Sequence, residues 1–227
     1  MSVEIGSKIN ELDVIIGARA FQNQYLIKWL YLGTNIITIE EGAFANCGYI
    51  SEIHYYTPSM SDIDINRDDG ELEIFYNGLA SYAELYVYNN VTRLPGQLFA
   101  STGGNNASLS KIVFKANSEC ADIGNRCFLG NRNLIEIEIE GNNEYFDCLP
   151  KSIENLHAHC FRKTGLRTIS VEEGSSLKVI NASSFRESEL NEVDLKYATN
   201  LTDIGTGVFA DCSKLQSVSL GAGDITF

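Results

Sequence analysis

Between residues 148 and 160 the chain reads CLPKSIENLHAHC, so Cys148, His157, His159 and Cys160 are four side chains able to ligate zinc. Their spacing matches no standard zinc finger. His157 and His159 also fall in a polar bend just before Phe161, and the segment reads as a structural arc, with bound zinc as the competing reading. Cys127 and Cys160 each directly precede a phenylalanine and occupy equivalent places, within reach of one another. Equivalent side chains in stacked coils, however, run parallel rather than meeting at disulfide geometry. Cys47 and Cys212 stand three residues after a phenylalanine, where a small, weakly hydrogen-bonding group suits an inner turn. Glu136 and Glu138 resemble a glycosidase pair only in type, since they share one strand with no cleft implied. No GxSxG, P-loop, GxGxxG or HExxH occurs. The chain is therefore expected to be non-enzymatic, with no cofactor and no metal. Asn-x-Ser/Thr sequons begin at Asn90, Asn106, Asn181 and Asn200, close to what chance gives in an asparagine-rich chain.

The elements that hold these residues emerge from the whole sequence. Its 227 residues, 44% of them hydrophobic, suffice for a sizeable core in a single domain. Seventeen basic residues against thirty acidic ones give a formal charge of -13, which repels phosphate backbones and anionic headgroups. Nucleic acid and membrane insertion are excluded as roles. No apolar run approaches the roughly 18 residues that span a bilayer, and MSVEIGSKINELDVIIG lacks the pattern of a secretory signal. VEI at 3–5 and GDITF at 223–227 look like partial units, so the natural chain is expected to continue or to be covered there by another chain.

One line recurs along the chain. Five residues before Phe209 stands Ile204, and Leu215, Val218 and Leu220 follow it at plus six, nine and eleven. The same grid fits Phe21, Phe44 and Phe128, fits Phe99 after a four-residue insertion in STGGNNAS, and fits Phe161 and Phe185 with one residue lost. A degenerate copy takes Tyr76 as anchor, followed by Tyr82, Leu85 and Val87. Eight units result, their anchors 23 to 33 residues apart. Apolar residues two apart at the end of each unit predict a half-buried strand. The stretch from Ile to Phe predicts a tight turn and a short helical or irregular arc. One unit cannot bury its own apolar side, so the units must stack with their strands in a parallel sheet and their phenylalanines in a column. The expected fold is a repeat solenoid, α/β or mainly β, with a parallel sheet on one face and arcs on the other.

The pattern IGxxxFxxCxxLxxVxL, written as IGTGVFADCSKLQSVSL from Ile204 to Leu220, resembles the BspA-like class of leucine-rich repeats, over about residues 12 to 220. The resemblance implies a secreted or cell-surface protein that adheres to host proteins or to other cells. Connectors at 56–75 and 140–156 depart from the repeat and are expected to disturb its regularity.

Alternation along each strand places residues two, four and six after the Leu position outward. These are Trp29 and Tyr31, then Glu52, His54 and Tyr56, then Glu84, Tyr86 and Tyr88, so three neighbouring strands display aromatic groups. Later strands show Lys111, Val113 and Lys115, then Glu136, Glu138 and Glu140. An aromatic patch rimmed by charge is suited to recognition, and equally to cross-strand stabilisation of the sheet. Trp29, Tyr31, His54, Tyr56, Tyr86 and Tyr88 are the candidate binding residues for a protein or glycan ligand. A spacer that self-associates end to end through its uncapped turns is the alternative.

Overall fold

Each repeat runs strand, arc, strand, and each piece is hydrogen-bonded to its equivalent in the next repeat. The computed structural model describes residues 1–6, 12–65, 73–101, 108–142 and 147–221. The sequon at Asn106, most of the STGGNNAS insertion and the terminal GDITF lie outside the described residues.

The broad face carries β1 (Ser2–Ile5), β3 (Trp29–Leu32), β5 (Ile50–Tyr55), β6 (Leu79–Val87), β8 (Leu109–Phe114) and β10 (Glu136–Ile139) as one parallel sheet. It is continued by β11 (Cys148–Leu149), β13 (Thr168–Val171), β15 (Glu192–Leu195) and β17 (Ser217–Leu220), again parallel. Leu30, Ile53, Leu85, Ile112, Ile137, Ile169 and Val193 point inward and are buried, as a period of two requires.

A second set of parallel strands lies where each unit enters its arc. It comprises β2 (Val14–Ile16) with β4 (Ile36–Ile39), and a ladder of β7 (Arg93–Leu94), β9 (Asp122–Ile123), β12 (Asn155–Leu156), β14 (Val179–Ile180) and β16 (Asp203–Ile204). The Ile or Leu five residues before the ring is thus itself a strand residue, which two-residue strands without alternation do not announce.

The arcs are turns, and no helix occurs among the described residues. Of the helical and irregular arcs expected, the irregular form is the one present, and the backbone shows why. Residues two before and two after the ring adopt positive φ in unit after unit: Arg19 and Asn23, Gly42 and Asn46, Arg126 and Gly130, His159 and Lys163, Ser183 and Glu187, Gly207 and Asp211. Left-handed residues forbid helix propagation. They also turn alternate N–H groups the same way along the stack. Arg126, Phe128 and Gly130 donate to the carbonyls of Ala158, Cys160 and Arg162, and Ser183, Phe185 and Glu187 donate to Thr206, Val208 and Ala210.

Within this shell the rings form the predicted column. Phe21, Phe44, Phe75, Phe99, Phe128, Phe161, Phe185 and Phe209 follow one another at centroid distances of 5.2 to 5.8 Å and interplanar angles of 6 to 13°. The interior rings are buried, while Phe21 and Phe209 at the two ends are only partly so. The third ring is Phe75, not Tyr76. Tyr82, assigned inward from that shifted anchor, is in fact 83% exposed, while Leu79 and Ala83 take the inward places. The described part of the 56–75 connector is not a free loop either, for Met60, Ile63 and Ile65 are buried and Ile63 N–H bonds Gly96.

Three residues after the ring, one side chain donates to the carbonyl of the ring residue in the preceding unit. Cys47 Sγ donates to the Phe21 carbonyl at 3.2 Å, Asn131 Nδ2 to Phe99 at 2.7 Å, and Cys212 Sγ to Phe185 at 3.1 Å. Both cysteines assigned to packing therefore also serve as weak donors to the preceding unit.

Candidate functional site

Register fixes what the broad face presents. Trp29 lies beside Glu52, Glu52 beside Glu84, Glu84 beside Lys111 and Lys111 beside Glu136. In the next outward row Glu4, Tyr31, His54, Tyr86, Val113 and Glu138 are successive neighbours. All six candidate residues are brought together on β3, β5, β6 and the residues that follow β5 and β6.

Strand spacing then stacks the rings on one another. Tyr31 lies 4.5 Å from His54 and His54 lies 4.8 Å from Tyr86, at angles of 9° and 7°. Tyr56 stacks on Tyr88 at 3.8 Å. Lys115 Nζ stands 5.4 Å and 5.5 Å from the Tyr86 and Tyr88 rings, a cation over π faces, and bonds Glu140 Oε1 at 2.7 Å. Polar tips are cross-linked as well. Trp29 Nε1 donates to Glu52 Oε1 at 3.1 Å, Tyr86 Oη to Glu84 Oε2 at 2.6 Å, and His54 lies 3.2 Å from both Tyr88 Oη and Glu52 Oε2.

These contacts decide what the patch can do. In the row from Tyr31 to Tyr86, His54 is held between the two tyrosine rings, each tyrosine gives one face to it, and Tyr86 and Tyr88 lie beneath Lys115. A sugar that packs its C–H face on an aromatic ring finds those faces taken. What is offered instead is ring edges, hydroxyls and carboxylates on a rigid plate, with Trp29, 40% exposed, as its most accessible ring. The hydrogen bond to Glu84, then burial, push the Tyr86 phenol above its ordinary range; burial, then Tyr88, do the same to Tyr56. Both therefore act as neutral hydroxyls.

The acidic triplet is less free than its sequence suggests. Glu136 and Glu138 both clamp Lys111, the first at 2.8 Å. Burial opposes the Lys111 charge, but hydrogen bonds to these two carboxylates overcome it and raise the ammonium well above its ordinary value.

Cys148, His157, His159 and Cys160 do not converge. Cys148 is buried on the broad sheet, whereas His157 Nε2 lies 3.2 Å from Asp122 Oδ1 beside the second sheet. His159 is one of the left-handed arc residues, and burial followed by Arg162, Arg126 and Arg186 depresses its pKa. Among the described residues no group of three or more histidine, cysteine or acidic side chains is placed to hold a metal ion. All six cysteines are free and buried, so Cys127 and Cys160 are not joined.

A second exposed row escaped the outward-position rule. Leu26, Tyr49 and Tyr82 each stand one residue before a buried side chain, the first two at the corner where an arc passes into its strand and Tyr82 within β6. Reading only the positions after the strand begins leaves that corner unread.

Residues 14–148 and 147–226 match the BspA type leucine rich repeat region, in six copies. Among solved structures, a leucine rich cell surface protein from Faecalibacterium prausnitzii shares 15% identity at a TM-score of 0.35, covering 92% of this chain and 71% of its own. A leucine-rich repeat protein from Eubacterium ventriosum shares 17% identity at a TM-score of 0.33, covering 91% of this chain and 70% of its own. No curated protein matches.

Proposed function

The chain belongs to the BspA-type leucine-rich repeat family, and on that premise we propose that it is a non-enzymatic module that binds a protein partner at a cell surface through its broad sheet face. The observation that carries this reading is the plate formed by Trp29, Tyr31, His54, Tyr56, Tyr86 and Tyr88, whose stacked rings hold a fixed array of edges, hydroxyls and carboxylates. Aromatic residues supply large contact area at low entropic cost, and a pre-stacked array has little further freedom to lose. The covered faces of His54, Tyr86 and Tyr88 favour a protein ligand over a stacked glycan. Glu52, Glu84 and the overall charge of -13 favour a basic contact surface on the partner.

The test uses a panel of extracellular matrix and cell-surface proteins, with Trp29→Ala and Tyr31→Phe as probes. Tyr31→Phe keeps the stack and removes only an outward hydroxyl. A partner bound through this face should lose at least about tenfold in affinity to the Trp29→Ala change, a loss of about 1.4 kcal/mol, with the melting temperature nearly unchanged. Undiminished binding by the Trp29→Ala, Tyr31→Phe double variant would place the interface elsewhere. Labelling of intact cells with a membrane-impermeant reagent checks the location, and no labelling there would contradict it.

A further inference from the structure

In a chain with a formal charge of -13, one corner is cationic. Where the arcs anchored at Phe128 and Phe161 pass into their strands, a cleft of about 260 Å³ opens, lined by Arg132, Ile135, Lys163, Gly165, Arg167 and Glu189, among others. Its cause is legible. The units of Phe161 and Phe185 carry one residue fewer between ring and strand, so the corner is drawn inward there. Gly165 lies against the preceding unit, and a Cβ at that place would stand 2.3 Å from the carbonyl oxygen of Arg132. No side chain can occupy that spot.

Charge at the cleft is unbalanced in a defined way. Glu187 is engaged by Arg162 and by Lys163, and Glu189 by Lys214 through Oε2. Arg132 and Arg167 are exposed and form no contact ion pair among the described residues. With Lys214 as the larger influence, they help hold the Glu189 carboxyl below its ordinary range. Two guanidinium groups without ion-paired carboxylates among the described residues therefore share one concavity, and each presents a planar fork able to donate two parallel hydrogen bonds to a carboxylate. Beside them the Glu189 carboxylate, paired with Lys214 through Oε2, supplies an acceptor for hydroxyl groups, and Ile135, 56% exposed, supplies an apolar wall. The cleft falls just below the lower bound of about 300 Å³ for drug-sized pockets, which suits a single small ring. An acidic peptide side chain would satisfy the arginines but bring no hydroxyls to Glu189.

We propose that this cleft binds a carboxylate-bearing monosaccharide unit, with its carboxylate across Arg132 and Arg167, hydroxyls donating to Glu189 and a C–H face against Ile135. It lies at the corner of later units, apart from the plate on β3, β5 and β6, so it stands or falls independently of the reading above. Titration by nuclear magnetic resonance with glucuronate, glucose, N-acetylglutamate and sulfate, on the native chain and on Arg132→Gln and Arg167→Gln, provides the test. Glucuronate should bind saturably and lose at least tenfold in affinity in either variant, while glucose does not bind. Because both arginines are exposed, the variants should melt with the native chain. Failure of glucuronate to bind, or equal binding by the variants, overturns the proposal. N-acetylglutamate or sulfate binding as tightly as glucuronate overturns its assignment to a sugar.

Discussion

Cys120, Cys127 and Cys160 are fully buried, and removal from water pushes the Cys120 and Cys160 thiols up to about 12 and Cys127 well above its ordinary value. A thiol reacts as its thiolate, so these three should resist alkylation near pH 8 in the folded chain and react only after denaturation. Mass spectrometry after iodoacetamide treatment, with and without guanidinium, reads this directly; rapid native labelling of Cys127 would contradict its placement. The equivalence of Cys127 and Cys160 was legible because each directly precedes a ring, whereas Cys120 stands at no repeated offset and gives no such signal. The outward aromatic residues were legible through alternation along the strand. That Tyr31, His54 and Tyr86 would spend their faces on one another was not, because it depends on side-chain rotation and on Lys115 reaching across from the next strand. Nor was Tyr82, whose misassignment followed from choosing Tyr76 over the adjacent Phe75.

At the scale of the element, the sequence shows strands better than arcs. A strand on the broad face writes its burial with period two, whereas the left-handed residues of the arcs include Arg126, His159 and Lys163, types that give no turn signal. Their conformation is imposed by the ladder of hydrogen bonds between repeats rather than by local preference. The junction after β10 shows a further device. Asp147 accepts the Ile137 N–H at 3.1 Å through Oδ1 and a hydrogen bond from Thr168 through Oδ2, tying β10 to β13 where the repeat is interrupted. Burial raises its pKa above the ordinary 3.8 despite these bonds. The folded chain then holds the proton more tightly than the unfolded one, and stability at this site falls as pH rises through the window above 3.8. Asp147→Asn should remove that decline. Denaturant unfolding between about pH 4 and about pH 7 checks it, and parallel pH curves for the two proteins would show that Asp147 is not the source.

Across the whole molecule, stability is a sum of units and of the contacts between neighbours, which is how a stacked repeat differs from a globular core. The ring column is where those contacts are most concentrated, since each interior phenylalanine has a ring above and below it. Seven of its eight members were identifiable from spacing alone, because identical offsets repeated along the chain leave little other explanation. The corner cleft was hidden, as the single lost residue that creates it changes register without changing the apolar pattern. A double-mutant cycle tests the column most directly. Phe128→Leu and Phe161→Leu replace adjacent rings 5.3 Å apart while keeping most of the apolar volume, and Phe44→Leu and Phe185→Leu replace rings with four others between them. The adjacent pair should couple by about 0.5–1.5 kcal/mol and the distant pair should be additive within about 0.5 kcal/mol. Equal coupling in both pairs, or none between Phe128 and Phe161, would contradict a column in which each ring rests on the next.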